Sequence, residues 1–257
     1  MKLKLNDKVL LLSEDESYLV TVSKKKFNVK SGVIDLGKVV GKTYGSRIKT
    51  HIGKEFFIVK PTLLDLFTKI TRTAQVILPK DIGLIIGYTG ISPDSLVVDA
   101  GTGTGYLAIF LANYLSKGKV VTYEKDKRFV KIAKGNIKLS GLKNLKLRQK
   151  GISRGIDEKN VDLVTLDLQH PEKIIKRVHK ALKIGGWLVV YSPTIEEVIK
   201  VAKEIKKRGF SEIKTVENIV REWQTGRTTR PKTMGLMHTG WLTFARCIAT
   251  SHMMPHN

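Results

Sequence analysis

Two regimes of apolar spacing run along the chain. Up to about residue 65, short β-type runs recur at Val9–Leu12, Tyr18–Val22, Val33–Asp35 and Phe56–Val59, separated by polar, glycine-containing connections. They predict a small β domain over residues 1–65. Pro61–Arg72 follows, with Leu63, Leu64, Phe67 and Ile70 at helical spacing, and predicts a linking helix. A second apolar helix is expected from Ile82 to Tyr88, with Pro79 ahead of it, Asp81 as its N-cap and Gly90 ending it.

From Leu96 the pattern alternates strand and helix. Leu96–Ala100 predicts a buried strand, and Leu107, Phe110 and Leu111 then recur at helical spacing. Lys119–Tyr123 predicts a strand ended by Glu124; Asp126 caps a helix through Phe129, Ala133 and Ile137, which Gly141 stops. Leu145–Gln149 and Val161–Leu166 predict strands, the second ended by Asp167. Pro171 opens a helix striped by Ile174, Ile175, Val178, Ala181 and Leu182, which Gly185-Gly186 is expected to break before a strand at Trp187–Tyr191. Ile195, Val198, Ile199, Ala202 and Ile205 form the next stripe, stopped by Gly209. Phe210–Val216 and Trp241–Ile248 are the last strands, joined by a long polar connection from Arg221 to Thr239 and expected to pair as an antiparallel edge hairpin. Repeated βα units imply an α/β domain over 66–257, a Rossmann-like parallel sheet covered by helices on both faces.

Charge narrows the partners. Lys and Arg total 46 against 23 Asp and Glu, a formal net charge of +23. Such an excess attracts polyanions over long range and points to nucleic acid or an anionic surface. Thermophile surfaces balance Lys with Glu, and here acids are scarce. Lys24-Lys25-Lys26, Lys30, Lys38, Lys42, Arg47, Lys49 and Lys54 crowd the small β domain, which makes it an expected RNA contact. The sole cysteine, Cys247, excludes an internal disulfide and a cysteine metal cage, and the histidines lack ligand spacing, so no metal is expected. Met1–Asn6 lacks an apolar signal core and no apolar run is long enough to span a bilayer, which suits a cytoplasmic protein.

Gly101, Gly103 and Gly105 make a G-x-G-x-G turn between strand and helix. Glycines there permit a tight turn and close approach of a ligand to backbone amides and a positive helix end. The third glycine comes one residue earlier than in the dinucleotide fingerprint, the spacing methyltransferases use for S-adenosylmethionine (SAM). The plain alternative is a tight turn without a ligand. In parallel sheets ligands bind at the carboxyl ends of strands, which brings the turn, Glu124, the Gln149–Gly151 turn and Asp167 to one edge. A carboxylate at Glu124 can accept bonds from both ribose hydroxyls; the alternative is an acid at a helix start. Asp167, beside an exocyclic amine, would hold a base in register and offset charge moving onto it during methyl transfer; the alternative is a cap on the Pro171 helix. His170 and His238 are further candidates, with solvation and turn-holding as their ordinary roles.

Several blocks together resemble one family, the tRNA (adenine-N1)-methyltransferases of the TrmI type, in particular archaeal ones acting in the T-loop. The blocks are Gln75-Val-Ile-Leu-Pro-Lys-Asp81, Thr89-Gly-Ile-Ser-Pro93, Asp99-Ala-Gly-Thr-Gly-Thr-Gly105, Leu166-Asp167-Leu168 with Pro171 behind it, Arg230-Pro231, and His238-Thr-Gly-Trp-Leu-Thr-Phe-Ala-Arg246. The resemblance implies SAM as methyl donor, tRNA as substrate and a homotetramer. It implies that Asp167 contacts both cofactor and target adenine, that Glu124 holds the SAM ribose, and that Thr102, Gly103, Thr104 and Gly105 line the methionine side. Gln75, His170, Arg230 and His238 are the expected substrate-binding residues. The chain departs from the family pattern at Leu78, where many relatives carry Tyr, and at Gln169-His170, where many carry Pro-Glu or Pro-Asp. It has Lys150-Gly151-Ile152 where many SAM enzymes place an acid for the adenine amine, so backbone groups and Ile152 are expected to take that role. Two other readings fit the glycine turn: a protein-carboxylate methyltransferase of the isoaspartate type, and a non-catalytic RNA-binding module on the same fold.

Overall fold

A computed structural model describes residues 2–71, 76–226, 228–232 and 238–249. The chain divides into two compact units, Met1–Ile70 and Thr71–Asn257.

In the first unit β1 (Lys8–Leu12), β2 (Ser17–Thr21), β3 (Lys26–Val29), β4 (Gly32–Asp35), β5 (Arg47–Lys49) and β6 (Glu55–Val59) precede a short helix, α1 (Leu63–Phe67). Four of them form an antiparallel sheet in the order β2-β1-β6-β5, and β3 pairs with β4. Alternation buries Val9, Leu11, Val20, Phe56 and Ile58 in one core with Ile34 and Ile48. The apolar spacing did not reveal β3 or β5, because KFNV and RIK are polar at half or more of their positions. Helix α1 is shorter than Pro61–Arg72: Thr62 and Asp65 form a reciprocal capping box, and the last turn closes at Thr68. Leu64 is correspondingly exposed, whereas Phe67 and Ile70 are buried.

The second unit begins with α2 (Pro79–Thr89). Pro79 stands at its first position and Leu78 is the N-cap, so Asp81 is not the cap but a buried first-turn acid. It has a different partner. Lys80 Nζ donates to Asp81 Oδ1 (2.8 Å), to the Thr239 hydroxyl (2.9 Å) and to the Asn218 carbonyl (2.6 Å), while the Thr239 hydroxyl donates to Asp81 Oδ2 (2.9 Å). One buried ion pair thus ties the start of α2 to both flanks of the 218–239 connection.

The remaining elements are β7 (Leu96–Ala100), α3 (Tyr106–Tyr114), β8 (Lys119–Glu124), α4 (Lys127–Ser140), β9 (Leu145–Gln149), β10 (Val161–Leu166), α5 (Ile175–Ala181), β11 (Leu182–Ser192), α6 (Ile195–Lys206), β12 (Phe210–Glu217), β13 (Trp223–Gln224), β14 (Arg230–Pro231) and β15 (Trp241–Cys247). Seven strands form one sheet in the order β12-β15-β11-β10-β7-β8-β9. The five from β11 to β9 run parallel, and β15 lies antiparallel between β11 and β12, the edge hairpin that the missing helix predicts. Val98, Val121, Val164 and Leu188 share one buried cluster with Ile175 and Val178 of α5 and Val201 and Ile205 of α6. Within the polar connection, β13 and β14 form a two-stranded ribbon.

Three features of α5 and α6 differ from expectation. Gly185-Gly186 does not break a helix: α5 ends at Ala181 and β11 continues through both glycines with a bulge. A Cβ at Gly186 would lie 2.8 Å from the Val161 carbonyl oxygen, so glycine here permits close approach of β11 to β10 where their register shifts. In α6 the buried stripe is Val198, Val201 and Ile205, and Ile195 and Ile199 of the expected stripe are exposed. Pro171 opens a 3-10 turn, Pro171–Ile174, that leads into α5.

The buried ion pair yields a stability prediction. Asp81→Ala leaves the half-buried Lys80 ammonium without its carboxylate and should cost about 3 kcal/mol in urea unfolding, the lower end for such a charge. Adding Lys80→Met to that variant should recover most of the loss; a double variant no more stable than the single one would contradict this account.

Candidate active site

The parallel register lines up the strand ends. Ala100 pairs with Tyr123 and with Leu166, Glu124 with Gln149, and Leu166 with Val190. The glycine turn, Glu124, the Gln149–Gly151 turn and Asp167 therefore share the carboxyl edge of the sheet. Trp241 pairs with both Ser192 and Glu217, which brings His238 to the same edge from the antiparallel side.

The glycine turn is held from below. Gly101, Gly103 and Gly105 have φ of +87°, +52° and +85°, a region that side chains with a Cβ disfavour. The Asp167 amide donates to the Ala100 carbonyl (2.8 Å), and a Cβ on Gly101 would overlap the Asp167 carbonyl oxygen. The Gly101 and Thr102 amides both donate to the Tyr123 carbonyl (3.1 and 3.3 Å). Beneath the turn a chain of buried hydroxyls ends on a carboxylate. Thr165 and Thr122 donate to Asp99 (2.8 and 2.6 Å), and because the single Thr122 proton is committed there, Thr102 donates to Thr122 (2.5 Å). Asn136, buried on α4, donates to the Thr104 carbonyl (2.8 Å) and exchanges bonds with the Thr71 backbone (3.1 and 3.2 Å).

Glu124 is buried and backs the turn: its Oε2 accepts from the Gly103 amide (3.0 Å) and its Oε1 from the Asp126 amide (2.9 Å). A carboxylate offers about four acceptor positions, so capacity for a ribose hydroxyl pair remains. Two features suit an amino-acid ligand at the turn. The Thr104 hydroxyl is buried without a hydrogen bond, and the first turn of α3 receives no side-chain cap from Gly105. Ile152 is buried in the 3-10 turn after Gly151 and supplies an apolar surface. Arg148 pairs with Glu158 (2.7 Å) and Lys150 with Asp157 (2.6 Å), and Tyr123 also bonds Glu158, which together pin the loop carrying Ile152.

Asp167 is half-buried at the end of β10. Burial, reinforced by the Asp99 and Glu197 carboxylates, pushes its carboxyl from the ordinary 3.8 up to about 7. Glu197, at the start of α6, is itself pushed up by burial. It lies beside Ser192, whose hydroxyl is buried without a well-formed hydrogen bond, and one oxygen each of Glu197 and Glu172 is similarly unsatisfied. Spacing could not have found Ser192, Glu197, Thr122, Thr165 or Asn136, since each meets its partners only through the fold; the strand-end position of Ser192 was the one available signal.

The expected substrate residues behave differently from one another. His170 has a left-handed backbone (φ +57°), is exposed, and lies 3.5 Å from Glu172. His238 Nδ1 lies 2.5 Å from Glu217 Oε1, and its ring packs on Trp241 (4.4 Å between centroids), so it also holds the turn into β15. Arg230 is exposed on the β13–β14 ribbon. Gln75 and the tail Ser251–Asn257 lie outside the described residues. Leu78 is half-buried ahead of α2.

A seven-stranded sheet with its last hairpin antiparallel, a G-x-G-x-G turn over a strand-end acid, and a carboxylate after the next strand define the class of SAM-dependent methyltransferases. A family model described as "tRNA methyltransferase complex GCD14 subunit" matches residues 56–236. A curated relative from Methanocaldococcus jannaschii, named tRNA (adenine(57)-N(1)/adenine(58)-N(1))-methyltransferase TrmI, is 35% identical, with 93% of this chain and 94% of that protein covered. Among solved structures, a SAM-dependent O-methyltransferase from Thermotoga maritima superposes with a TM-score of 0.87 at 33% identity, covering 97% of this chain and 96% of the other. The tRNA (m1A58) methyltransferase TrmI from Aquifex aeolicus superposes with a TM-score of 0.81 at 28% identity, covering 97% of this chain and 100% of that one. The chain belongs to the TrmI family of SAM-dependent tRNA methyltransferases.

The raised Asp167 carboxyl makes a prediction. Between pH 3.8 and about 7 the native state keeps a proton that the unfolded chain has released, so this group lowers stability as pH rises through that window. Asp167→Asn abolishes the loss. Its stability relative to the parent should improve by about 2 kcal/mol between pH 5 and pH 8, at ~1.36 kcal/mol per pKa unit. A difference from the parent that is equal at both pH values in urea unfolding would overturn the assignment.

Proposed function

We propose that this enzyme methylates N1 of adenosine in the T-loop of tRNA, with Asp167 as the catalytic group. The observation that carries the reading is a half-buried acid, raised toward neutrality, pressed by its own backbone against the glycine turn. Bound SAM supplies an electrophilic methyl group on a sulfonium. Thr102, Gly103, Thr104 and Gly105 hold its methionine portion, Gly101 gives the turn its close seat on Asp167, Glu124 takes the ribose hydroxyls and Ile152 covers the adenine. The target adenosine must leave its stack to reach this edge. Asp167 accepts a hydrogen bond from the exocyclic amine, which orients N1 and offsets the positive charge that N1 alkylation places on the ring. With a pKa near the working pH, the same carboxylate is suited to hold the amine proton as charge develops.

Gln75, His170, Arg230 and His238 are proposed to bind the RNA around that base. The β unit 1–65 is proposed as a tRNA contact. Its positive charge is partly spoken for: Arg47 and Lys49 pair with Glu55, and Lys54 with Asp15. The same reading includes a homotetramer in the cytoplasm. Some eukaryotic relatives are named catalytic subunits, and light scattering tests the homotetramer. No helix among the described residues is long and apolar enough to cross a membrane.

The relatives' names cite position 58 alone or 57 with 58, so the experiment is mass-spectrometric mapping of methyladenosine at both positions in tRNA incubated with the enzyme and SAM. Methyl appearing only on protein carboxylates, or nowhere, would refute the reading. Asp167→Ala should lower kcat at least 100-fold while tRNA affinity survives, the loss general acid–base groups typically produce; a variant with parental turnover would remove Asp167 from catalysis.

A further inference from the structure

The face of α5 away from the core carries an uninterrupted cationic ridge. Ile174, Ile175, Val178, His179 and Ala181 are buried, while Lys176, Arg177 and Lys180 of α5, and Lys173 in the 3-10 turn that leads into it, are exposed. Their spacing of i, i+3, i+4 and i+7 puts four like charges along one helix face. None of the four is in an ion pair among the described residues, so their mutual repulsion is uncompensated. They do not stand on a flat surface. Together with Arg208 at the end of α6 they line a groove of about 490 Å³, in which Glu204 is occupied by Arg208 (2.7 Å). At its other end the groove reaches Glu172, which contacts His170 in the loop after Asp167. A cationic channel therefore leads away from the catalytic edge along α5. At 1.5 Å per residue the ridge is about 10 Å long, enough for more than one successive phosphate of a strand.

We infer that the groove between α5 and α6 is a track for the sugar–phosphate backbone of the substrate RNA. This rests on the proposed function, which supplies the polyanion, and adds where it is gripped outside the catalytic centre. The ridge gives no base readout, since lysines and an arginine facing a groove of this kind meet phosphates through charge. Its contribution is to fix how the strand leaves the flipped nucleotide.

The test uses the full chain and a transcribed tRNA. The triple variant Lys176→Gln, Arg177→Gln, Lys180→Gln is compared with an equal charge loss on α4, Lys127→Gln, Lys131→Gln, Lys134→Gln, whose three residues are also exposed. The groove variant should bind tRNA at least 10-fold more weakly than the α4 variant. Its plot of log affinity against log salt should be shallower by about two, because each released phosphate contact contributes roughly 0.7–0.9 to the slope. SAM affinity by calorimetry should match the parent. If parent enzyme methylates tRNA and the two triple variants bind it alike, the groove inference falls and the function stands. If parent enzyme methylates no tRNA but the groove variant alone loses binding, the function falls and the groove stands. Failure of the parent to bind tRNA removes both.

Discussion

One backbone contact sets the geometry on which the site depends. β7 and β10 lie side by side, and at their carboxyl ends the Asp167 amide closes onto the Ala100 carbonyl while its own carbonyl rests where a Gly101 side chain would be. The Asp167 backbone and the glycine turn are thereby held to each other by main chain alone. Methyl transfer in line requires donor carbon and acceptor nitrogen to be held within a few tenths of an ångström of contact. A site assembled from two strand ends of a parallel sheet is stiffer than one on free loops. The residue that makes this possible acts by what it lacks.

The turn rests on a polar layer where an apolar one would be expected. Asp99, Thr122 and Thr165 occupy neighbouring positions of three adjacent strands, and Thr102 extends the chain upward into the turn. Burial pushes the Asp99 carboxyl up, and the two threonine hydroxyls oppose that shift. A fully satisfied buried network is directional, so it specifies one register for β7, β8 and β10 where aliphatic packing alone would tolerate small slips. It also places a carboxylate below Asp167, and together with Glu197 it keeps that acid electrostatically uncomfortable until a cation or a donor arrives.

Much of the second unit was legible because its signals are local. A valine-rich strand, three glycines and an apolar helix read in one pass, and Asp126 and Gly141 cap α4 where spacing puts them. The misreadings share a cause. Gly186 reads as punctuation in the sequence, but its reason lies across the sheet in the Val161 carbonyl. Asp81 looks like a cap from its neighbours, yet its partner Thr239 is far along the chain. Ile195 and Ile199 fit a helical stripe as well as Val201 does, and only the packing of α6 decides which side is buried. Local periodicity cannot encode partners that arrive from distant strands, which is also why the site's carboxylate neighbours stayed hidden while Asp167 itself, marked by its strand end, did not.

The distribution of charge sorts the substrate into parts. Cations outnumber acids 46 to 23, yet acids gather where β7, β10 and β11 end and α6 begins, as Asp99, Asp167 and Glu197. An excess of cations favours polyanions over long range, while the acids at this edge disfavour phosphate. On the proposed reading, a nucleotide rotated outward would present only its neutral base to those acids. A sulfonium donor held at that edge would meet these acids with favourable charge, which is a demand that a neutral ligand would not satisfy as well.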